Sequence, residues 1–373
     1  MKPIEVSVLG AGRPPLDVAL ATAKQQEDAG FDAIWWSDHF LHWFPPDLWT
    51  PDLVPMAAVM PTPHAFLDPV PIMAAAATHT ERIRFGTGVT DAIRRHPAVL
   101  AQTFLTLDHI TKGRTMLGIG VGEAENILPY GLPYDRRASR LIEALEIIRL
   151  LWSTSDPVDF AGDFWKLDQA ILGAVPYGDR PPEIWMAAHR PRVLAAAGRM
   201  ADGWLPVMAD PEEYGRLLGD LRTSARAAGR NDEDITAGMY VWVVVDDSRD
   251  EAERLINSLL LRLVALTAPD SEFERAGSSS PLGDQGWGLL HYVPTKLTRE
   301  QGLAAAAAVP EEVLRRYYFW GTPDDIVERL RPFRRAGLEH VYLVNVTPLG
   351  DHTKAAASNA LIQDIMAGLR ALD

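Results

Sequence analysis

Along the chain, hydrophobic positions switch repeatedly between two periods. Short runs rich in β-branched and aromatic residues are followed by longer segments in which apolar residues recur at helical spacing. The runs IEVSVLG (4–10), DAIWWS (32–37), RIRFGTGV (82–89), TMLGIGV (115–121), EIWMAA (183–188), GWLPV (203–207), TAGMYVWVVV (236–245) and HVYLVNV (340–346) predict eight strands. Helices are expected between them. Pro97 suits a first helical position, and Leu100, Phe104, Leu107 and Ile110 recur on one face before Gly113 ends the run. Leu141, Leu145, Ile148 and Trp152 mark a second face. Thr322 has the chemistry of an N-cap, with Pro323 next, a stripe of Ile326, Leu330 and Phe333, and Gly337 as the stop.

Eight strand–helix units predict an α/β fold, a (β/α)8 TIM barrel forming one domain over residues 1–373. Longer insertions fall at about 40–68, 153–182 and 267–309, and loops of that length in a compact barrel are usually functional or mobile. A doubly wound sheet is the runner-up, but neither a G-x-G-x-x-G nor a G-x-x-x-x-G-K-[ST] motif supports it. Gly118, Gly120 and Gly122 alternate, a pattern that fits close packing in a narrow barrel strand better than phosphate binding.

Composition removes several classes of function. The chain is 47% hydrophobic, enough for a large core. Its 50 acidic against 36 basic side chains give a net charge of -14, and no basic tract is long enough to track a phosphate backbone, so nucleic acid is not expected as a partner. The absence of cysteine excludes disulfides, thiolate metal sites and a cysteine nucleophile. No apolar span of membrane-crossing length occurs and the first residues read as a strand and turn, so a cytoplasmic protein without a membrane span is expected.

Barrel chemistry gathers at the C-terminal ends of the strands. Asp38 and His39 follow the second predicted strand, Thr90 and Asp91 the third, Glu123 and Asn126 the fourth, and His189 and Arg190 the fifth. Singly, each has a plain alternative: Asp38 as a loop cap, His39 as a packed histidine satisfied by backbone. Asp38, His39, His42, His64, Glu123 and His189 could be imagined around a cation. Against this, the first strand ends in VLGAGR without a histidine pair and no H-E-x-x-H occurs, so no metal is expected. Ser37 lacks a G-x-S-x-G setting and reads as a structural hydroxyl.

The segments GFDAIWWSDHF, RRHPAVLAQTFLTLDHITKGRTMLGIGVGEAEN, PPEIWMAAHRPRVLAAAGRMADGWLP and GTPDDIVERLRPFRRAGLEHVYL resemble, in order and through nearly the whole chain, the luciferase-like flavin and deazaflavin oxidoreductases. SDHFxxW followed by GEAxN is similar to the branch that uses coenzyme F420. GVTDAIRRHPAV, LGIGVGE with PYG soon after, and PEIWMAAHRPR are closer to its ketoreductase-like members. The resemblance implies a hydride passing between the deazaflavin C5 and a carbonyl or alcohol carbon of a small-molecule substrate, with FMN-dependent monooxygenation as the alternative. By the same analogy a homodimer is expected.

Carried over position by position, the resemblance implies His39 as acid/base, Trp43 as an aromatic at the reacting centre and Glu123 as a second acid/base group. It implies cofactor contacts at Asp38, at Gly88, Val89, Thr90 and Asp91, at Val121, Gly122 and Asn126, and at Ala187, Ala188, His189 and Arg190. Gly88-Val89 matches a non-proline cis peptide behind the ring. Two departures stand out. His189-Arg190 replaces glycine-like positions of the sugar-phosphate dehydrogenase, leaving Arg190 open as a phosphate contact or a solvated side chain. The loop GWLPVMADPEEY lacks that enzyme's phosphate-binding lysine, which argues against glucose 6-phosphate. Trp43, Phe44, Trp49, Met56, Met60 and Phe66 make the first long loop apolar, consistent either with a hydrophobic ketone at its mouth or with a loop packed on the barrel or on a partner subunit.

Overall fold

The computed structural model describes residues 3–283 and 286–372; Asp284 and Gln285, in the 267–309 insertion, lie outside the described residues. The eight expected strands form: β1 (Glu5–Leu9), β2 (Ala33–Trp36), β3 (Arg84–Thr87), β4 (Thr115–Gly120), β5 (Glu183–Met186), β6 (Gly203–Trp204), β7 (Thr236–Val245) and β8 (His340–Asn345). They pair in parallel in chain order, and β8 returns to β1 with Glu5 beside His340, so the sheet closes into a TIM barrel with helices between the strands.

Two-residue alternation sorts each strand into an inner and an outer face. In β7, Ala237, Met239, Val241, Val243 and Val245 join the core shared with the surrounding helices, while Trp242 and Val244 join the barrel interior. Likewise Ile34 and Trp36 of β2 face out and Ala33 and Trp35 face in. The interior is largely aromatic: Trp35 meets Trp185 at 5.4 Å and Tyr342 at 5.9 Å between ring centres. Glycines make the room. A Cβ on Gly118 would stand 1.8 Å from the Thr87 carbonyl oxygen, which is the close packing expected of that strand. Gly122, by contrast, has φ +84 and turns the chain out of β4 toward Glu123.

The helices follow their signals with one exception. Thr322 caps helix Pro323–Arg335 through a capping box with Asp325, and Ile326, Leu330 and Phe333 are buried. Helix Pro97–Thr111 buries Leu100, Phe104 and Leu107, but Ile110 is 40% exposed and Thr111 continues the buried face instead. At 3.6 residues per turn Ile110 lies roughly a quarter-turn off the stripe. Periodicity also did not separate two small pieces. Val158–Ala161 and Lys166–Ala170 form a hairpin inside the 153–182 insertion, and Phe319–Gly321 pairs with β7 outside the barrel.

One buried carboxylate pins a connection at the base of β3. Glu27 Oε2 accepts the backbone N–H groups of Glu81, Arg82 and Ile83 at 2.8, 2.7 and 3.1 Å. Burial alone would raise its pKa; the backbone donors and Lys24 outweigh that and hold it at about 2, against an ordinary 4.5. Glu27→Ala is expected to cost on the order of 2 kcal/mol in denaturant unfolding. Because the folded pKa is depressed, this contribution is complete above pH 4.5 and fades as the pH falls toward 2. An unchanged acid limb in the variant would remove Glu27 from this role.

Candidate active site

The aromatic filling of the barrel continues upward and positions the loop after β2. Tyr342 meets Tyr240 at 4.8 Å, Tyr240 meets Trp242 at 4.8 Å, and Trp242 meets Trp43 edge-on at 5.6 Å. Trp43 is fixed at both ends: its carbonyl accepts the Tyr292 hydroxyl at 2.9 Å, and its Nε1 donates to Glu125 Oε1 at 2.8 Å. His39 stands against the Trp43 ring at 5.4 Å in a T-shaped contact.

Asn126 organises the same corner. Its Oδ1 accepts Phe40 N at 2.7 Å and Leu41 N at 3.3 Å, which turns its Nδ2 toward His39 Nδ1 at 3.1 Å. The Leu41 carbonyl, 3.2 Å from the same nitrogen, favours the opposite tautomer. Because two backbone bonds fix that amide's orientation, we assign Nδ1 as the acceptor and Nε2 as the protonated nitrogen. Glu123 Oε2 is 3.6 Å from His39 Nε2, and Glu125 Oε1 is 3.8 Å from His39 Nδ1.

Asp38 is held from below. It accepts Thr90 Oγ1 at 2.5 Å and Arg94 Nη1 at 3.3 Å, and it pairs with Arg95. Burial opposes its ionisation, but Arg94 and Arg95 outweigh it and keep the carboxyl below the usual aspartate range. Asp91 accepts the backbone N–H groups of Ile93 and Arg94, each at 2.8 Å, and the Arg94 side chain at 2.5 Å. The Gly88–Val89 peptide is cis.

These groups surround one cavity at the C-terminal mouth of the barrel. Its wall includes Asp38, His39, Trp43, Gly88, Val89, Thr90, Asp91, Val121, Gly122, Glu123, Asn126, Ala187, His189 and Arg190. Ala188 is the expected contact that does not join them. It is buried, and its carbonyl accepts Trp204 Nε1 at 2.7 Å. His189 Nε2 accepts Val207 N at 2.9 Å, and burial, helped by the Arg190 charge, lowers its pKa to about 4. Arg190 is exposed and precedes helix Pro191–Met200.

Of the two readings of the apolar first loop, the structure mostly takes the packed one. Of the loop's six large residues only Trp43 lines the cavity; Phe44 and Trp49 stack at 5.6 Å inside the core. The apolar part of the wall comes from Leu205, Val207, Tyr240 and Trp242, and from Trp287, Leu289 and Leu290 of the 267–309 insertion. Arg94, Glu125 and Trp287 were not singled out by motif. Arg94 is visible in the RRHP run, Glu125 in GEAEN and Trp287 in DQGWG, but nothing in those strings says which side chains turn inward.

His39, Glu123 and Glu125 bring donor atoms within 4.8 Å of one another. Asn126 Nδ2 stands among these atoms, 3.1 Å from His39 Nδ1, 3.3 Å from Glu125 Oε1 and 3.4 Å from Glu123 Oε2. His42 and His64 lie outside the group, His42 stacked on Phe44 at 4.0 Å and His64 Nδ1 accepting His42 N.

A closed parallel barrel with ionisable groups converging on a partly apolar cavity at its C-terminal mouth defines a barrel enzyme. The chain belongs to the luciferase-like monooxygenase family, whose model it matches over residues 3–340, and it is an oxidoreductase of that family. It is 35% identical over 336 residues to the phthiodiolone/phenolphthiodiolone dimycocerosates ketoreductase of Mycobacterium bovis (strain BCG / Pasteur 1173P2), covering 89% of this chain and 88% of that protein. It is 29% identical over 364 residues to the F420-dependent glucose-6-phosphate dehydrogenase of Amycolatopsis mediterranei (strain U-32), covering 94% and 93%. Among solved structures, an F420-dependent secondary alcohol dehydrogenase in complex with an F420-acetone adduct shares the fold, with a TM-score of 0.74, 24% identity and 99% of each chain covered. Among the described residues no helix is long and apolar enough to cross a membrane.

Proposed function

We propose that the protein is an F420-dependent ketoreductase that converts the carbonyl of an apolar small molecule to a secondary alcohol. The observation that carries this reading is His39, with its Nε2 proton at the cavity, set between Trp43 and Glu123 and braced from behind by Asn126. The relatives named above, a ketoreductase and an F420-dependent dehydrogenase, support it.

The cavity fits a flat heterocycle. One side is the backbone around the Gly88–Val89 cis peptide and the Gly120 to Gly122 turn, the other is largely apolar, and Trp287 Nε1 is buried there without a partner, a donor suited to an acceptor on a ligand. Reduced F420, when bound, supplies a hydride to the carbonyl carbon. His39 Nε2 gives the proton to the carbonyl oxygen as negative charge develops on it. Trp43 and Trp242 exclude water from that oxygen, and Asn126 keeps the imidazole in the donating orientation. Leu205, Val207, Leu289 and Leu290 take the apolar body of the ketone.

Titration with oxidised F420 and, separately, with FMN tests this directly, since Trp43, Trp242 and Trp287 line the cavity and report binding by fluorescence quenching. Saturable F420 binding is expected, followed by turnover of apolar ketones with the reduced cofactor. Preference for FMN with oxygen consumption would place the protein with the monooxygenases for which its family is named and retire the ketoreductase.

A further inference from the structure

We propose that the Tyr240 hydroxyl is a second hydrogen-bond donor to the substrate's carbonyl oxygen, acting beside His39 Nε2. This rests on the ketoreductase reading of the same site. Alternation along β7 turns Tyr240, Trp242 and Val244 toward the barrel interior. Val244 is covered, whereas Tyr240 and Trp242 reach the cavity and line it. Packing holds Tyr240 there. Its ring meets those of Trp242 and Tyr342 edge-on, each at 4.8 Å, and its backbone N–H donates to the Pro206 carbonyl at 2.8 Å.

The neighbouring phenols are already engaged. Tyr292 donates to the Trp43 carbonyl at 2.9 Å, Tyr134 to the Leu290 carbonyl at 2.9 Å and Tyr318 to the Leu261 carbonyl at 2.6 Å. Tyr317, the other phenol in the cavity wall, accepts Trp242 Nε1 at 3.1 Å and meets Thr267 Oγ1 at 3.2 Å. Tyr342 has no partner, but its oxygen is buried against Gly88. Tyr240 alone brings to the cavity wall a phenol whose hydroxyl, among the described residues, neither donates to nor accepts from the protein. Water serves that hydroxyl while the cavity is open. Once a ligand displaces the water, the hydroxyl needs an acceptor on the ligand.

His39 and Tyr240 stand at the two ends of the edge-on Trp43–Trp242 pair, and Glu123 is their common neighbour. Glu123 Oε2 lies 3.6 Å from His39 Nε2, and its charge reaches the Tyr240 hydroxyl. Burial first, then Tyr342 and Tyr317, then Glu123 raise the Tyr240 pKa well above the ordinary phenol value, so the group stays protonated and keeps its proton. A carbonyl oxygen has two lone pairs, and His39 uses one. As the hydride reaches the carbonyl carbon, the π bond breaks, a C–H bond forms, and an O–H bond forms with the Nε2 proton of His39. Tyr240 meanwhile donates to the second lone pair, where negative charge grows, and transfers nothing.

Tyr240→Phe removes one oxygen and keeps the ring against Trp242 and Tyr342. Because that oxygen has no protein partner, the apoprotein should unfold at the wild-type denaturant midpoint, and F420 should bind with wild-type affinity. With reduced F420 and an apolar ketone, kcat and kcat/KM should fall together by roughly 10²-fold, the lower end of what one such donor contributes. A ketone isotope-labelled at the carbonyl carbon, bound beside oxidised F420, should show its infrared carbonyl stretch at lower frequency in wild type than in the variant, because each donor weakens the C=O bond. A variant with wild-type kcat and an unmoved carbonyl band overturns the inference while leaving the ketoreductase in place. So does a loss confined to F420 affinity or to apoprotein stability. Failure of wild type to turn over any ketone with reduced F420 overturns both.

Discussion

His39→Ala is expected to lower kcat by roughly 10²–10⁴-fold, the range that a positioned acid contributes, while F420 binding stays close to wild type. The reasoning is geometric. His39 touches Trp43, Phe66, Asn126 and the two glutamates, but Asp38, Thr90 and Asp91 are held by Arg94 and Arg95 and do not depend on the imidazole. The substitution therefore deletes the proposed proton donor and leaves the rest of the wall standing. Stopped-flow oxidation of reduced F420 at saturating ketone reads kcat, and fluorescence titration of the same variant reads binding. A fall in kcat and kcat/KM together identifies an interaction made in the transition state; a rise in KM at constant kcat would make His39 a binding group only.

The barrel was legible because each strand carries its own evidence. β7 is a ten-residue run rich in β-branched and aromatic residues, and its expected limits, 236–245, coincide with Thr236–Val245. The exposed hairpin in the 153–182 insertion buries too little to leave a two-residue signature, and Phe319–Gly321 is too short to have one. At the site, residue type and place after a strand were enough to bring His39, Glu123, Asn126 and His189 to one cavity. What failed was the side to which neighbouring groups turn. Phe44 and Trp49 have the composition of a substrate surface, yet they fill the core beneath the loop. Glu125 has the composition of a solvated helix residue, yet it is buried against Trp43. Neither difference has a sequence signal, because both depend on the 267–309 insertion, which closes over the mouth through Tyr292 and the apolar residues beside it.

The loop that carries His39 also predicts the largest loss of stability. Asp38 is 5% exposed and Arg94's side chain 6% exposed, and removing one partner of a buried ion pair leaves a charge without compensation. Asp38→Ala is expected to cost roughly 3–5 kcal/mol. The loss lies toward the lower figure, because Arg94 keeps Asp91 and Arg95 keeps Asp68. The sign with pH follows from the depressed carboxyl pKa: the contribution is complete above the ordinary aspartate value of 3.8 and is lost as the pH falls through the lowered one. The variant should therefore unfold earlier at neutral pH yet show a flatter acid limb. Combining Asp38→Ala with Arg94→Met removes both charges, and recovery of part of the stability is expected because the desolvated cation is gone. That recovery should not restore activity, since the backbone of Asp38 would lose the 2.7 Å bond from Arg94 Nη2 that holds the start of the loop carrying His39. Purely additive losses in the double variant would instead mean that Asp38 stabilises through Thr90 and loop packing, and that the ion pair itself contributes little.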